Sequence, residues 1–460
     1  MNLLLLMLLC VTEIAFAVMA ITRKPNLRDW QMGRLIVNGG ELLVFLLTLL
    51  LPGIDLGMRF TCLFYMLLIR ILFSGVEYLI RRKKTEKAKK TVFMILGALL
   101  SMVLIFLSMI PSFVFTDYQG LPVTGEYTVA QVKAILIDES RVEEQETDGS
   151  CREVPVYFFY PEDAESGETF PVVFFSHGAF GYYQSNMSTY MELASHGYVV
   201  VSMEHPYHSV FTSDTSGNTI IVSPEFMQEI QNVNRPEATK QEIFEAGQKW
   251  IQLRSLDANF AIDAVQFAAG EAAEKKPLPE NWFVEEQDRE ILSGVLADMD
   301  LEKIGFMGHS MGGATAVSMG RTRDDIDAVV DLDGTMLGEV LGVEDDQDII
   351  NEEIYPVPLL SFDNQEHHDD RMRCVQEGIP YANNVVLENA EEGFSTYIAQ
   401  SGHMNYTDLP MFSPALGSML GVGEVDTQDC MVKVNEIVLR FFDCYLKDLD
   451  EFQVEEGYQL

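Results

Sequence analysis

Basic residues are the first shortage: 31 Lys+Arg stand against 70 Asp+Glu, for a net charge of −39 over 460 residues. A field of that sign repels a phosphate backbone, which excludes nucleic acid as a partner. Cysteine is scarce as well, with six residues, and neither C-x-x-C nor H-E-x-x-H occurs. The usual zinc-holding spacings are therefore missing. Cys10 and Cys62 fall in apolar stretches. Cys151, Cys374, Cys430 and Cys444 do not, and the pairing among those four stays open. His367-His368-Asp369-Asp370 is the densest group of metal-binding side-chain types, but neighbouring side chains diverge and a solvated loop is expected there. No internal repeat is present.

What is there is unevenly distributed. Residues 1–115 carry 13 basic and 6 acidic residues, and the remainder carries 18 basic and 64 acidic, a net of −46. The first part holds four apolar stretches, about 3–21, 35–51, 60–80 and 92–115. Each is near the roughly 17–25 residues that cross a hydrocarbon core. Arg23, Lys24, Arg28 and Arg34 lie between the first two, and Arg81, Arg82, Lys83, Lys84, Lys87, Lys89 and Lys90 between the last two. The middle loop has only Arg59 and Asp55. Basic loops stay cytoplasmic, so both chain ends and the acidic part are expected outside, in a multi-pass protein of the cell membrane. The lipid bilayer is then a partner through the helices, since an acidic domain gains nothing from anionic headgroups. Ala15-Phe16-Ala17 resembles a signal cleavage site, but only Met1-Asn2 precede the apolar run, without a positive charge, and an uncleaved span is expected. Glu13 and Arg70 fall at matching depth in helices of the same direction, where pairing would relieve both; Glu77 shares the face of Arg70.

After a linker at 116–126, residues 127–460 alternate β-rich and helical patterns. Strands are expected at Val154–Tyr160, Val172–Ser176, Tyr198–Met203, Lys303–Met307, Ala328–Leu332 and Val357–Phe362. Helices are expected at Ser188–His196, Glu237–Ala269, Gly313–Gly320 and about 428–447. Near-continuous apolar strands between helices imply a largely parallel sheet covered on both faces. The long segment 206–300 is too large for a simple crossover and is expected to hold a polar loop, Ser213–Asn218, then one or two helices that pack over the site or beside the sheet.

Within that pattern, Gly308-His309-Ser310-Met311-Gly312-Gly313 follows a strand and opens a helix, the setting in which G-x-S-x-G forms a sharp turn presenting a nucleophilic serine. A serine hydroxyl needs an adjacent base, itself oriented by an acid. His403, in a small-residue loop ahead of the last helix, is the candidate base. For the acid, Asp333 and Asp363 each end a strand beyond the serine, and position alone slightly favours Asp363. The amide of Met311 is one candidate oxyanion donor. The amide of Ala179, after Phe175-Ser176-His177-Gly178, is the second, with His177 shaping that loop.

Phe175-Ser176-His177-Gly178, Leu193-Ala194-Ser195-His196-Gly197-Tyr198, Glu204-His205-Pro206, Asp300-Leu301-Glu302-Lys303-Ile304 leading into Gly308–Thr315, and Leu332-Asp333-Gly334 occur in the order found in one family. Over roughly 150–410 the chain resembles the plasma-type platelet-activating factor acetylhydrolases, which are α/β-hydrolases; the apolar N-terminal region is outside the likeness. The resemblance implies hydrolysis of carboxylic esters, in the family's case short or oxidised sn-2 acyl groups of phospholipids. It implies Ser310 as nucleophile, Asp333 rather than Asp363 as acid, His403 as base, and Ala179 and Met311 as oxyanion donors, with no metal or organic cofactor. Gly334 and Pro206-Tyr207-His208 depart from the family's pattern around the substrate pocket. The expectation is thus an α/β-hydrolase fold preceded by about four transmembrane helices, acting on an ester or phospholipid-like small molecule. A cutinase- or lipase-like esterase, or a non-catalytic acyl-ligand sensor, is the alternative. Oligomeric state is not legible.

Overall fold

The computed structural model describes residues 2–460 except 52, 53, 55, 86 and 166. Asp55 of the middle loop lies outside the described residues. The chain divides into two compact units, Met1–Gln119 with Met411–Leu416, and Gly120–Pro410 with Gly417–Leu460.

The first unit contains α1 (Asn2–Arg23), α2 (Leu27–Thr48), α3 (Met58–Arg81) and α4 (Thr91–Val114). Three of them, α1, α3 and α4, are long and apolar enough to cross a membrane. The second expected stretch, 35–51, overlaps only the later part of α2, which starts earlier behind an Asn26 cap that accepts from the Asp29 N–H at 2.9 Å, ends at Thr48, and is not among these apolar helices. Buried Gln31, Asn38 and Glu41 make α2 more polar than the other three. That polarity is spent inside the bundle. Arg70 on α3 bonds Glu41 at 2.7 Å, Asn38 Oδ1 at 3.0 Å, and Glu13 of α1, while Arg34 of α2 takes the other Glu13 oxygen. The expected Glu13–Arg70 pair is present, and Glu41 and Arg34 complete a set of two carboxylates and two guanidiniums. Such mutual pairing is what makes charges tolerable away from water. Glu77 instead bonds Gln31 at 2.7 Å and Arg81 at 3.0 Å.

The second unit is built on a ten-stranded sheet. Its strands are β1 (Val129–Val142), β2 (Cys151–Pro161), β3 (Phe170–Ser176), β4 (Val199–Met203), β5 (Trp282–Phe283), β6 (Met299–His309), β7 (Ala328–Leu332), β8 (Leu359–Asp363), β9 (Gly393–Ile398) and β10 (Gly457–Tyr458). Across the sheet they run β10-β9-β8-β7-β6-β3-β4-β2-β1-β5. From β10 to β4 all pairs are parallel; β2, β1 and β5 add antiparallel partners at one edge. Helices α5 (Met187–Ser195), α6 (Pro224–Val233), α7 (Lys240–Ala273), α8 (Arg289–Ala297), α9 (Met311–Thr322), α10 (Gln365–Glu377), α11 (Ala382–Glu388) and α12 (Thr427–Lys447) complete it, together with short turns.

Alternation along β3 shows why both faces are covered. Val172 and Phe174 join a core with Ala258, Ile262 and Val265 of α7 and Val317 of α9. Val173 and Phe175 join the opposite core with Tyr190 of α5 and Val438 and Phe442 of α12. The six expected strands and four expected helices are all present, Ala328–Leu332 with the bounds expected and the others with ends moved by at most four residues. The strands β1 and β9 and the hairpin Phe211–Ser213/Thr219–Ile221 were not expected. The expected solvated loop at His367-His368-Asp369-Asp370 is instead the first half of α10, whose Asn364 cap accepts from the His367 N–H at 2.9 Å.

The order reverses between β3 and β6. From β3 the chain steps to β4 on one side, and from β6 through β7, β8 and β9 on the other. The crevice at the carboxyl ends of β3 and β6 is where open sheets of this kind bind ligands.

Candidate active site

Strand β6 ends at His309 and α9 begins at Met311, leaving Ser310 alone in the turn with φ +56° and ψ −123°. A non-glycine residue held there stores strain of about 1–3 kcal/mol. The turn is fixed by the Ser310 N–H donating to the Leu332 carbonyl at 2.8 Å. Its glycines are sterically required: a Cβ at Gly308 would stand 2.2 Å from the Gly312 backbone, and one at Gly312 would stand 1.9 Å from the Ser176 oxygen.

Asp333 follows β7 at φ +57° and is buried. Its carboxylate accepts four hydrogen bonds, from His403 Nδ1 at 2.6 Å, His367 Nδ1 at 3.0 Å, the Asn364 N–H at 2.8 Å and the Asn364 amide at 2.6 Å. Burial pushes its pKa up, but the bonds from His367 and His403 outweigh that and hold it well below the usual carboxylate range. Two residues earlier the buried Asp331 goes the other way, raised by burial and then by Asp363. Asp363, the positional alternative, ion-pairs with Arg371 and lies 3.5 Å from His367. Among the described residues no hydrogen bond joins it to His403.

His403 opens a short turn after β9, and its ring is partly exposed. The ring of His309 lies 4.6 Å away, and its Nε2 donates to the His403 carbonyl at 3.1 Å. Burial, then the neighbouring His403, pulls His309 down to about 3, so it stays neutral in this contact. Ser310, Met311, Asp333 and His403 line one cavity of about 390 Å³. Its apolar wall comes from Ile230 and Val233 of α6, Trp250 of α7, and Leu337. A hollow of about 470 Å³ nearby is lined by Glu366, Asp369, Asp370 and Glu424 and holds none of the candidate catalytic side chains.

The loop after β3 brings Ala179 beside this cavity, packed in a cluster with Met311, Phe226 and Trp250. Gly178 backs onto the serine: a Cβ there would be 3.2 Å from Ser310 Cβ. Met311 is the first residue of α9, so its N–H has no helical acceptor. Among the described residues the Ala179 N–H has no acceptor either. His177 donates from Nδ1 to the Gly178 carbonyl at 2.7 Å, and its Nε2 lies 2.8 Å from the Ser209 hydroxyl. It supports the loop and does not enter the cavity.

Residues 144–458 match the family model described as platelet-activating factor acetylhydrolase, isoform II. The chain belongs to that family. A platelet-activating factor acetylhydrolase of Cavia porcellus is 24% identical over 307 residues, which cover 63% of this chain and 61% of the relative. The chain thus spans less than two thirds of that relative's length. A solved ferulic acid esterase from Streptomyces cinnamoneus aligns with a TM-score of 0.49 and 17% identity, covering 72% of this chain and 93% of the other. The family match reaches further than the resemblance at 150–410, taking in α12 and β10.

The sequence reading missed His367 and Asn364, whose polar helix start carries no apolar stripe. It also missed Arg254 and Asp257, which are fully buried on α7. A signal for those two was present. Gly247, Trp250, Ile251, Arg254, Asp257, Ala258 and Ala261 recur at three- and four-residue spacing, so both charges fall on the buried stripe of a long helix.

Proposed function

We propose that this chain is a membrane-anchored serine hydrolase of carboxylic esters, acting on short acyl groups of phospholipid-like molecules. The observation that carries the reading is the 2.6 Å bond between His403 and Asp333 at the cavity that also contains Ser310. In the reaction, His403 removes the Ser310 proton as the hydroxyl attacks the ester carbonyl. Asp333 accepts from Nδ1–H, which leaves Nε2 free to act as base, and its held negative charge stabilises the imidazolium. The Ala179 and Met311 amides bind the tetrahedral oxyanion. The leaving alcohol takes its proton from His403, and water, activated by the same ring, releases the acid from the acyl-enzyme.

The acyl group fits the wall of Ile230, Val233, Trp250 and Leu337. A space of about 390 Å³ favours a short chain or a small head over a long lipid tail. The apolar helices α1, α3 and α4 support anchoring in a bilayer, and the basic loop 81–90 supports a cytoplasmic side for that loop and an extracytoplasmic side for the hydrolase unit.

The test is hydrolysis of p-nitrophenyl esters from acetate to decanoate by the full chain in detergent, beside Ser310→Ala. Fast turnover of acetate and butyrate, lost in the variant and falling steeply beyond hexanoate, is the expected result. Equal rates for both proteins would sink the hydrolase and favour a binding role. Undiminished decanoate turnover would move the substrate to lipase-like esters.

A further inference from the structure

We propose that Arg254 is a positioning residue for the oxyanion site, acting through the carbonyls of His177 and Gly178; the inference rests on the hydrolase reading above. Arg254 sits on α7 with no solvent exposure. Its Nη1 bonds the His177 carbonyl and lies 3.4 Å from the Ser176 hydroxyl, and its Nη2 reaches the Gly178 carbonyl at 3.3 Å. Two successive carbonyls need two N–H groups in a fixed fork, which guanidinium has and ammonium lacks.

The peptide plane turns that clamp into a functional statement. In a trans peptide the carbonyl and the following N–H point in opposite directions. The Gly178 carbonyl is held on the Arg254 side by three donors: Arg254, His177 Nδ1 at 2.7 Å and the Gly181 N–H at 3.0 Å. The Ala179 N–H must therefore face the other way, and Gly178 packs directly against the serine turn, where an added Cβ would stand 2.9 Å from His309 Nδ1 and 3.2 Å from Ser310 Cβ. A cation behind the carbonyl also polarises the amide and strengthens its N–H as a donor.

The cost of this arrangement argues that it has a use. Among the described residues no carboxylate lies within ion-pair distance of Arg254. The nearest on its own helix face, Asp257, is taken by Arg152 at 2.7 Å, Arg141 at 2.9 Å and His205 at 3.1 Å. Burial accordingly pulls Arg254 down to about 9, although Asp257 and Glu204 oppose the shift. A buried guanidinium whose hydrogen bonds go to carbonyls and neutral side chains is expensive, and such departures concentrate where function needs them. The surrounding groups form its scaffold. Asp257 holds His205, and His205 Nε2 lies 2.9 Å from the Ser176 hydroxyl at the end of β3. That trio copies the Ser-His-Asp order, but all three are fully buried, which makes it a support for the loop root and no second catalytic centre.

The experiment compares Arg254→Lys and Arg254→Ala with wild type in the full chain. It measures kcat and KM for p-nitrophenyl acetate, melting temperature, and affinity for a trifluoromethyl ketone, whose serine adduct carries an oxyanion. Loss of an oxyanion donor costs roughly 100-fold or more in kcat. The expected result is a kcat loss of that order in Arg254→Ala and at least tenfold in Arg254→Lys, with KM within about threefold. Ketone affinity should fall by the same factor as kcat, and added guanidinium should restore part of the Ala variant's rate. If the Ala variant does not fold, the Lys variant decides alone. A kcat within threefold of wild type, or a loss that leaves ketone affinity unchanged, overturns the proposal while wild type still outruns Ser310→Ala. If wild type does not outrun Ser310→Ala, the hydrolase reading has failed and the positioning role falls with it.

Discussion

Asp333 serves two imidazoles with one carboxylate, and that arrangement supports it over Asp363 as the proposed acid. Asp333→Asn should lower kcat about 10³- to 10⁴-fold, because the amide no longer fixes the His403 tautomer. Asp363→Asn should leave kcat within about tenfold. Its cost should fall on stability, about 3–5 kcal/mol in urea melts, since Arg371 loses its buried partner. Comparable rate losses in the two variants would defeat the assignment. A separate carboxyl, Asp408, is raised to about 7 by burial, against the opposing hydrogen bonds from Ser188. Its folded pKa lies above the unfolded value of about 3.9, so the fold disfavours the charged form. Its contribution is therefore most favourable at low pH and declines as pH rises toward and through 7. The stability of wild type relative to Asp408→Asn should fall between pH 5 and pH 8; a constant difference would show that Asp408 does not titrate there. At this scale the serine was legible because its turn tolerates few sequences. His367 was not, because its role depends on where α10 starts, and that is set by an Asn364 cap shared with Asp333.

Helix α6 is the element that shapes the cavity. Ser223 caps it by accepting from the Phe226 N–H at 3.0 Å, and Phe226 stacks on His208 with ring centres 3.9 Å apart. Trp250 Nε1 donates to Glu229 at 2.8 Å, which ties α6 to α7. Ile230 and Val233 then face Ser310 across the cavity. Val233→Phe should keep acetate turnover within about threefold and cut hexanoate turnover at least tenfold, since the larger ring would occupy cavity space that a longer acyl chain needs. Equal losses on both esters would show that Val233 does not contact the acyl chain. The strands were readable because buried parallel strands are apolar throughout. The long β1 was not: Lys133, Asp138, Glu139, Ser140 and Arg141 interrupt its pattern, as suits a strand at the antiparallel edge. In the segment 206–239 the polar loop and the helices after it were legible, but the two short strands flanking the loop and the bounds of the ten-residue helix were not, since each carries too few periods to be placed.

The whole molecule is polarised in charge, with a net +7 in residues 1–115 and −46 beyond them. Among the described residues, no lysine or arginine lines the cavity. Cationic esters should therefore show a kcat/KM that falls with ionic strength, and anionic ones a kcat/KM that rises, over about 10–300 mM salt where the Debye length shrinks from roughly 30 Å to below 8 Å. A salt response of the same sign for both would rule out steering by this field. The broad division into apolar helices and an acidic α/β unit was plain in composition. The ion-paired interior of the bundle was only half visible, because the reading matched Glu13 with Arg70 by depth, while Glu41 and Arg34 join them from α2, the helix with buried polar side chains Gln31 and Asn38.

The sheet also separates the reaction's parts by how freely they can move. Ser310 and Ala179 hang from β6 and β3, which are bonded side by side in the middle of the sheet, so the spacing of the proposed nucleophile and oxyanion donor is set by that backbone ladder. The imidazole of His403 rides instead on a connecting loop beyond β9, where only β10 follows. The proposed base is thus held by side-chain bonds, from its ring to Asp333 and from His309 to its carbonyl, where the serine is held by strands on both sides. Weakening those two bonds would silence esters and serine-directed electrophiles together, since both need the proton taken from Ser310.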